Sequence, residues 1–312
     1  MVTPGASAGN AIMSAAAVTG GDAYRSSQLP NAIWPKREIL LQSGHAISYG
    51  GTIVQDIRLG GGAPVLVGTA NLVRSSDLAG AITANTAAIF FVQSHHAVQK
   101  GMLGLREVLA IAHQHGLPLL LDAAAEEDVR KYVAMDVDLV TYSGGKAFEG
   151  PTSGFILGTR AMIAACRLQE SGIARPMKVG KETILGLLAA MERYVKSDAT
   201  TEKARQLGVL KALQAGLNGL AHTRLQIEQD EAGRAIWRLH LTLDEGALGF
   251  TAHELIRDLQ SHETPIFPRS HWANTGTVAL DPRPIADDDV PIIIGAVRGS
   301  YARRGAAGEN SL

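Results

Sequence analysis

Cysteine and aromatic residues are scarce in this 312-residue sequence, and long apolar runs are missing. With Cys166 as the one cysteine, no disulfide can form within the chain, which is typical of a reducing compartment. No apolar run reaches the length of a membrane span, and the start of the sequence lacks the basic segment of a signal peptide. These features argue against a disulfide-rich secreted domain and against a membrane-spanning protein, and they predict a cytoplasmic protein.

The sequence also lacks an excess of either charge. It has 29 Lys and Arg residues against 30 Asp and Glu residues, which gives a net charge of −1. Because binding to a phosphate backbone needs a clear basic excess, nucleic acid is not expected to be the main partner. The sequence does contain 46% hydrophobic residues and 34 glycines, which suffice for a sizeable core and many tight turns.

Short apolar runs indicate the fold class of the first part of the chain. They lack the alternation of half-exposed strands, so we predict strands covered on both faces at Glu38–Leu41, Pro64–Val67, Ala87–Val92, Pro118–Leu121, Leu139–Tyr142 and Gly154–Leu157. Helices are predicted at Ala6–Val18, Leu103–His115, Thr159–Gln169 and Glu182–Val195. This alternation predicts an α/β domain over residues 1–197, with a mainly parallel sheet and flanking helices.

The pattern changes in the remainder of the chain, residues 198–312. The predicted elements there are, in chain order, two exposed alternating strands, a helix, a strand and a final helix: Leu220–Gln229, Ala235–Leu243, Ala252–Leu259, Val278–Leu280 and Val290–Ala302. We therefore expect a smaller C-terminal α+β domain, with a frayed tail from Arg303.

An acid and an amine form the strongest chemical signal. Asp122 ends a buried apolar run, and Lys146 follows the next predicted strand. Open α/β sheets bind ligands at the carboxyl ends of their strands, so both groups are expected in one crevice. Pyridoxal 5′-phosphate (PLP) needs this pair, because an amine forms its Schiff base and a carboxylate keeps its pyridine nitrogen protonated. Alone, Asp122 is typical of a helix N-cap and Lys146 of a surface residue, so the interpretation depends on the pair.

A loop near the start of the chain predicts a phosphate site. Gly5–Gly9 leads directly into a helix, whose N–H groups and dipole favour an anion. Ser7 offers a hydroxyl group, and Ser143, three residues before Lys146, is a second candidate contact. Taken alone, such a helix start more often reflects close packing, and it matches neither the Walker nor the dinucleotide spacing.

Other candidates follow predicted strand ends. His45 is a candidate for stacking on a cofactor ring, and Ala124, two residues after Asp122, is a candidate for packing beneath it. Ser94 and His95 are candidates for lining the pocket. His95 and its neighbour His96 point to opposite sides of an extended segment, so we predict no metal site. Each of these residues is also compatible with an ordinary packing or surface role.

Basic residues in two segments are candidates for binding a substrate carboxylate or phosphate. Lys178 and Lys181 precede a predicted helix, and Arg269 lies in the predicted small domain. Arginine suits planar, bidentate recognition of such anions best. Solvated turns with capping charges explain all three residues equally well.

Several segments of the sequence together resemble a known enzyme family. Ser143–Gly154, Leu121–Glu127 and Met177–Glu182 resemble the PLP enzymes related to bacterial selenocysteine synthase, L-seryl-tRNA selenium transferase. His95–Met102 and Asp281–Pro284 fit the branch that contains D-glucosaminate-6-phosphate ammonia-lyase. The resemblance begins at the second residue and covers nearly the whole chain.

The resemblance implies an aspartate-aminotransferase-type (fold type I) PLP fold and a homodimer or larger homo-oligomer with active sites between subunits. Carried over to this sequence, it makes Lys146 the Schiff-base lysine and Asp122 the pyridinium partner. It assigns the other candidates to the cofactor phosphate (Ser7, Ala8, Ser143), to the cofactor ring (His45) and to substrate anions (Lys178, Lys181, Arg269).

The activity that the resemblance implies is an α,β-elimination. The expected substrate is a 2-amino-3-hydroxy sugar acid, D-glucosaminate 6-phosphate above all, which would give a 2-keto-3-deoxy acid and ammonia. One alternative is an L-seryl-tRNA selenium transferase, against which the near-neutral charge counts. Another is a catalytically defective ligand-binding or interaction protein, because family members usually carry several dozen residues before the phosphate loop and this N-terminal part is expected to be missing.

Overall fold

The computed structural model describes residues 1–230, 233 and 235–309. The chain divides into two compact units, Met1–Lys196 and Ser197–Leu312. The first unit is built on one sheet with the strand order β1-β7-β6-β5-β4-β2-β3, in which β3, β2, β4, β5 and β6 run parallel. Strands β7 and β1 are antiparallel additions at one edge. The strands are β1 (Val2–Thr3), β2 (Glu38–Gln42), β3 (Ala63–Val67), β4 (Thr86–Val92), β5 (Leu119–Asp122), β6 (Leu139–Ser143) and β7 (Gly154–Gly158).

The sheet is covered on both faces except at its edge strand β3, where Leu66 is 52% exposed, and this cover explains the unbroken apolar runs of the other strands. Leu40, Ile89 and Leu121 belong to a core on one face, while their neighbours in sequence, such as Leu41 and Phe90, belong to a core on the other. Successive strand residues point to opposite faces, so both faces must be apolar. The six predicted strands are confirmed, and the mainly parallel sheet is confirmed with them.

Helices pack on the sheet of the first unit. They are α1 (Ala6–Thr19), α2 (Ala23–Ser27), α3 (Ile53–Leu59), α4 (Ser75–Gly80), α5 (Leu105–Gln114), α6 (Arg160–Leu168) and α7 (Lys181–Lys196). The four predicted helices of this unit are confirmed to within two residues at either end. Helix α5 ends shortly before Gly116, whose positive φ of 64° suits the turn that leads into β5.

Gly9 lets α1 approach the sheet closely, and we expect Gly9→Ala to destabilise the protein. A Cβ at this position would lie 2.1 Å from Oγ1 of Thr141, which is fully buried on β6. Overpacking of this kind costs about 1–3 kcal/mol of unfolding free energy. Thermal and urea unfolding would measure the loss.

Gly80→Ala is the matched control for this prediction. Gly80 is the last residue of α4 in the same unit, and a Cβ there would meet nothing within 4 Å. Alanine has the higher helix propensity, so this variant should be neutral or slightly stabilising. Equal unfolding free energies for the two variants would contradict the packing argument.

The second unit contains a small antiparallel sheet with the order β10-β9-β8 in its described residues. Its elements are α8 (Ala199–Leu217), β8 (Thr223–Gln229), β9 (Trp237–Leu243), α9 (Glu245–Leu248), α10 (Ala252–Gln260), β10 (Thr277–Leu280) and α11 (Asp289–Glu309). Arg238 of β9 is buried and bonds Asp230 at 2.9 Å and Asp281 at 3.1 Å, and this ion pairing ties the strand to the segment after β10.

Two predictions for this unit need correction, and one helix was not predicted. β9 is largely buried rather than exposed, because Leu239, Leu241 and Leu243 enter the core of the unit. Helix α8 was not predicted. The tail from Arg303 does not fray at once, since α11 continues to Glu309 and Arg304 bonds Asp258 at 2.8 Å. Within the described part of the chain, no helix has the length and apolar character needed to span a membrane.

Candidate active site

Asp122 lies at the centre of the candidate site. It is the last residue of β5, the middle strand of the large sheet, and its side chain is buried. One carboxylate oxygen, Oδ1, accepts the backbone N–H of Ala124 at 2.9 Å. The other, Oδ2, accepts Nδ2 of Asn10 at 3.0 Å. The carboxylate is therefore held at the carboxyl edge of the sheet, where ligands of this architecture bind.

Lys146 lies in a tight turn after the neighbouring strand, β6. The turn is closed by a hydrogen bond from the Gly150 N–H to the Gly144 carbonyl at 2.8 Å. Gly144 is required there, because a Cβ would lie 2.2 Å from Oγ of Ser153 and 2.8 Å from Leu187 of α7. Helix α7 thus supports the turn from behind, while the side chain of Lys146 is exposed.

The structure brings Lys146 and Asp122 into electrostatic contact. Burial raises the pKa of Asp122, hydrogen bonds from Asn10 and Ala124 lower it, and the positive charge of Lys146 lowers it further. The negative charge of Asp56 acts in the opposite direction. A buried carboxylate of this kind is stabilised by a cationic partner, and a protonated pyridine nitrogen is such a partner.

The start of α1 lies beside the ends of β6 and β7. Gly154 approaches Gly5 and Ala6 so closely that a Cβ on Gly154 would lie 2.6 Å from the Gly5 carbonyl carbon. Gly154 pairs with Ser143 across the sheet, so Ser143 lies near the predicted phosphate loop. Among the described residues, no side chain caps this helix start. Its first N–H groups are therefore suited to an anion.

The hydroxyl of Ser7 has a different partner from the predicted phosphate. Its Oγ donates to Oδ1 of Asp56 at 2.7 Å. The proton of that hydroxyl is engaged, so Ser7 offers an anion its backbone N–H, as does Ala8. The phosphate-binding roles of Ser7, Ala8 and Ser143 stay predictions.

A polar network that was not predicted from the sequence is formed by Asn10, Tyr49 and Asp56. Asp56 accepts hydrogen bonds from Asn10 at 3.1 Å and from the Tyr49 hydroxyl at 2.5 Å. Asn10 Oδ1 is buried without a hydrogen-bond partner among the described residues, which costs about 1–3 kcal/mol. One signal could have revealed Asn10: with Ser7 and Ser14 it forms a polar stripe at positions i, i+3 and i+7 of an otherwise Ala-rich helix.

The side chain of His45 is buried among other residues of the first unit. It is 1% exposed, its ring packs edge-on against Phe91 with centroids 4.6 Å apart, and its Nδ1 accepts the Val92 N–H at 3.2 Å. Burial lowers the pKa of His45 to about 4, so the ring is neutral at pH 7. Stacking of His45 on a cofactor ring stays a prediction, and it requires this side chain to be uncovered. Ala124 is half-buried close to Asp122, and its packing beneath the ring also stays a prediction.

The loop after β4 also borders Asp122. The backbone N–H of Gln93 donates to the Asp122 carbonyl at 2.8 Å. The half-buried Ser94 and the buried His95 follow directly in sequence, near the end of β5. The rings of His95 and His96 lie 4.0 Å apart, so the prediction that they point to opposite sides is wrong, because the two residues lie in a turn rather than in an extended segment. No group of three metal-binding side chains occurs in the part of the chain that the structure describes.

The candidate substrate-binding residues lie in two places. Lys178 and Lys181 are exposed at the start of α7, in the first unit. Arg269 lies in the second unit, where its backbone pairs with that of Ala279. Their roles stay predictions.

Comparisons with known proteins identify the family. The sequence profile of L-seryl-tRNA selenium transferase matches residues 28–253. This chain belongs to the L-seryl-tRNA selenium transferase family. The family resemblance predicted from the residues around Lys146 is therefore confirmed.

Two characterised relatives cover most of the chain. D-glucosaminate-6-phosphate ammonia lyase of Salmonella typhimurium (strain 14028s / SGSC 2262) is 43% identical over 297 residues, which are 95% of this chain and 79% of that protein. The 5′-C-glycyluridine monooxygenase-decarboxylase of a Streptomyces species is also 43% identical, over 91% of this chain and 72% of that protein. Two relatives whose names give different reactions thus share the same identity with this chain, over slightly different extents.

Solved structures confirm the predicted fold. A structure of D-glucosaminate-6-phosphate ammonia-lyase superimposes with a TM-score of 0.83 and 41% identity, covering 98% of this chain and 82% of that one. Serine palmitoyltransferase of Sphingomonas wittichii superimposes with a TM-score of 0.60 at 18% identity, covering 98% and 73%. The fold is fold type I of the PLP-dependent enzymes, with a mainly parallel sheet and a small antiparallel domain.

Proposed function

We propose that this chain is a PLP-dependent ammonia-lyase acting on a phosphorylated 2-amino-3-hydroxy sugar acid, D-glucosaminate 6-phosphate in the first instance. The single observation that carries the proposal is the buried Asp122 at the middle strand end, under the electrostatic influence of Lys146. The relative of that name, 43% identical over 95% of the chain, supports the choice of substrate.

The residues present fit PLP at both of its ends. The uncapped start of α1 suits the phosphate, and glycine at position 154 lets β7 pack closely against Gly5 at this helix start. Asp122 suits the ring nitrogen. Burial raises the pKa of Asp122, and a protonated ring nitrogen beside the carboxylate would offset the cost of burying its charge. The amine of Lys146 completes the set as the Schiff-base lysine.

When bound, PLP supplies an electron-withdrawing ring that stabilises negative charge at the substrate Cα. Asp122 holds the proton on the ring nitrogen, and Nζ of Lys146 removes the Cα proton. The C3 hydroxyl leaves as water, and hydrolysis then replaces the amino group by a carbonyl oxygen. The net products are a 2-keto-3-deoxy acid and ammonia. We assign Ser94 and His95 to the pocket wall and Lys178, Lys181 and Arg269 to the carboxylate and phosphate of the substrate.

We expect the purified protein, supplied with PLP, to release ammonia and a 2-keto acid from D-glucosaminate 6-phosphate in equal amounts. The reaction is an elimination followed by hydrolysis, so no oxygen is consumed. Ammonia, keto acid and dissolved oxygen should be followed together. Unphosphorylated D-glucosaminate is the matched control, and a lower kcat/KM is expected for it because the candidate anion contacts lose a partner.

The Streptomyces relative provides the second candidate function. Its equal identity of 43% favours testing an oxygen-dependent decarboxylation on the same protein. If the protein consumed oxygen with 5′-C-glycyluridine and released no ammonia from D-glucosaminate 6-phosphate, this function would replace the lyase proposal. Failure of the protein to bind PLP would overturn both.

We also propose that the enzyme is cytoplasmic and works as a homodimer or larger homo-oligomer. The single cysteine, Cys166, is buried and has no second cysteine in the sequence to pair with, which agrees with a reducing compartment. The net charge of −1 agrees with a small-molecule substrate rather than nucleic acid. Light scattering of the purified protein would measure the assembly.

A further inference from the structure

We propose that Asp56 is a positioning residue that couples the phosphate end of the cofactor site to its ring-nitrogen end. The inference rests on the proposed function, because it takes the start of α1 and Asp122 as the two ends of a PLP site. It assigns a role to a buried carboxylate that the proposed reaction does not otherwise use.

Asp56 joins two parts of the site through its two carboxylate oxygens. It lies in the first turn of α3, is 3% exposed, and belongs to a helix that packs on α1. Oδ1 accepts the hydroxyl of Ser7, at the start of α1. Oδ2 accepts the amide of Asn10, one turn further along the same helix. A single carboxylate thus fixes two successive turns of α1.

Asn10 carries the connection from Asp56 to Asp122. Its Nδ2 lies 3.1 Å from Oδ2 of Asp56, 3.0 Å from Oδ2 of Asp122 and 3.2 Å from the Tyr49 hydroxyl, so its shortest contacts are with two carboxylates. Its own carbonyl oxygen receives no hydrogen bond from the described residues. This orientation is the favourable one while both neighbours are charged acceptors, because the reverse orientation would set an amide oxygen against two carboxylates.

Tyr49 keeps Asp56 in the role of acceptor. Burial raises the pKa of Tyr49, and the negative charges of Asp122 and Asp56 raise it further. The hydroxyl therefore stays protonated and donates to Asp56. Ser7, Asn10 and Tyr49 all donate hydrogen bonds to Asp56, and the negative charge of Asp56 raises the pKa of Asp122.

This arrangement predicts two effects of Asp56→Asn on the PLP-loaded protein. The Kd for PLP should rise about five- to tenfold, because bonds to a charged acceptor become bonds to a neutral one. The midpoint of the pH titration of the visible absorbance of bound PLP should fall by about half a unit to one unit, because a negative charge near the ring is removed. Neither measurement needs substrate.

Asp77→Asn is the matched control. Asp77 is also a first-turn carboxylate in a helix of the same unit, α4, and its side chain accepts the Arg74 N–H. This variant should leave the PLP Kd and the titration midpoint at their wild-type values. A purely structural role for Asp56 would lower the melting temperature of the cofactor-free protein without moving the midpoint, and that result would overturn the proposal.

Asn10→Ala provides a second test that does not depend on the folding of Asp56→Asn. Alanine suits the interior of an Ala-rich helix and breaks the connection to Asp122. It should also raise the Kd for PLP, and combining it with Asp56→Asn should give less than the product of the two separate effects. Wild-type Kd and midpoint in Asn10→Ala would refute the coupling while leaving the proposed function intact. If the wild-type protein does not bind PLP, the proposed function itself has failed.

Discussion

Replacing Lys146 with alanine is expected to lower kcat for ammonia release by about 10⁴-fold or more. The proposed role of the amine is twofold, since it holds PLP covalently and removes the Cα proton. General-base catalysis alone contributes up to about 10⁴-fold. Borohydride reduction followed by peptide mass analysis measures the covalent link directly, and the variant should lose the cofactor-bearing peptide that contains residue 146.

Lys36→Ala is the matched control for this prediction. Lys36 is also an exposed lysine of the first unit, but it precedes β2 and therefore lies at the opposite edge of the sheet from Asp122. It should keep wild-type kcat and the wild-type labelled peptide. Labelling of Lys178 or Lys181 in the wild-type protein would move the catalytic role to the start of α7 and contradict the assignment of Lys146.

The positions of Asp122 and Lys146 could be predicted because they follow from chain order. Each residue comes at the end of an apolar run, and the carboxyl ends of neighbouring parallel strands meet at one edge of the sheet. The strands β5 and β6 are indeed neighbours, with Asp122 paired to Thr141. Local pattern and a general rule of topology therefore sufficed for this pair.

The network around Asp56 could not be predicted in the same way. Ser7 and Asp56 are separated by 49 residues, and Asn10 and Asp122 by 112. Their contacts exist because α3 and the sheet both pack against α1. Asp56 lies in a short helix whose sequence, with Gln55 and Arg58 beside it, is typical of a solvated surface. Its burial is a property of tertiary packing.

The difference at His45 has a related cause. A strand end predicts that a residue lies at the ligand edge of the sheet, yet the direction of its side chain depends on the turn that follows. The turn of Ser43–His45 directs the imidazole into the protein, against Phe91 and the Val92 N–H. Helix α8 was not predicted, although Asp198 at its start is a recognisable N-cap and Leu210, Leu213 and Leu217 lie at helical spacing in the core of the unit.

Asp122→Asn should lower kcat/KM by about 10²- to 10⁴-fold while the protein stays folded. The carboxylate is buried, and a group that stabilises charge developing in the transition state contributes about 2.7–4 kcal/mol, which at about 1.4 kcal/mol per tenfold change lies within this range. Asparagine has nearly the same volume and still offers Ala124 an acceptor. The new amide nitrogen faces Nδ2 of Asn10, so the hydrogen bond between Asn10 and residue 122 is lost and a modest drop in melting temperature is expected.

The measurement separates loss of charge from loss of structure. Asp22→Asn is the matched control, because Asp22 is the exposed N-cap of α2 and asparagine caps a helix equally well. Asp22→Asn should keep the wild-type melting temperature. Both variants should stay folded and bind PLP, but only Asp122→Asn should lose activity. With a carboxylate absent, the ring nitrogen loses its proton and the electron-withdrawing power that the proposed reaction needs. If PLP-loaded Asp122→Asn retained kcat/KM within tenfold of wild type, Asp122 would be a structural cap at a strand end, and another group would have to protonate the ring.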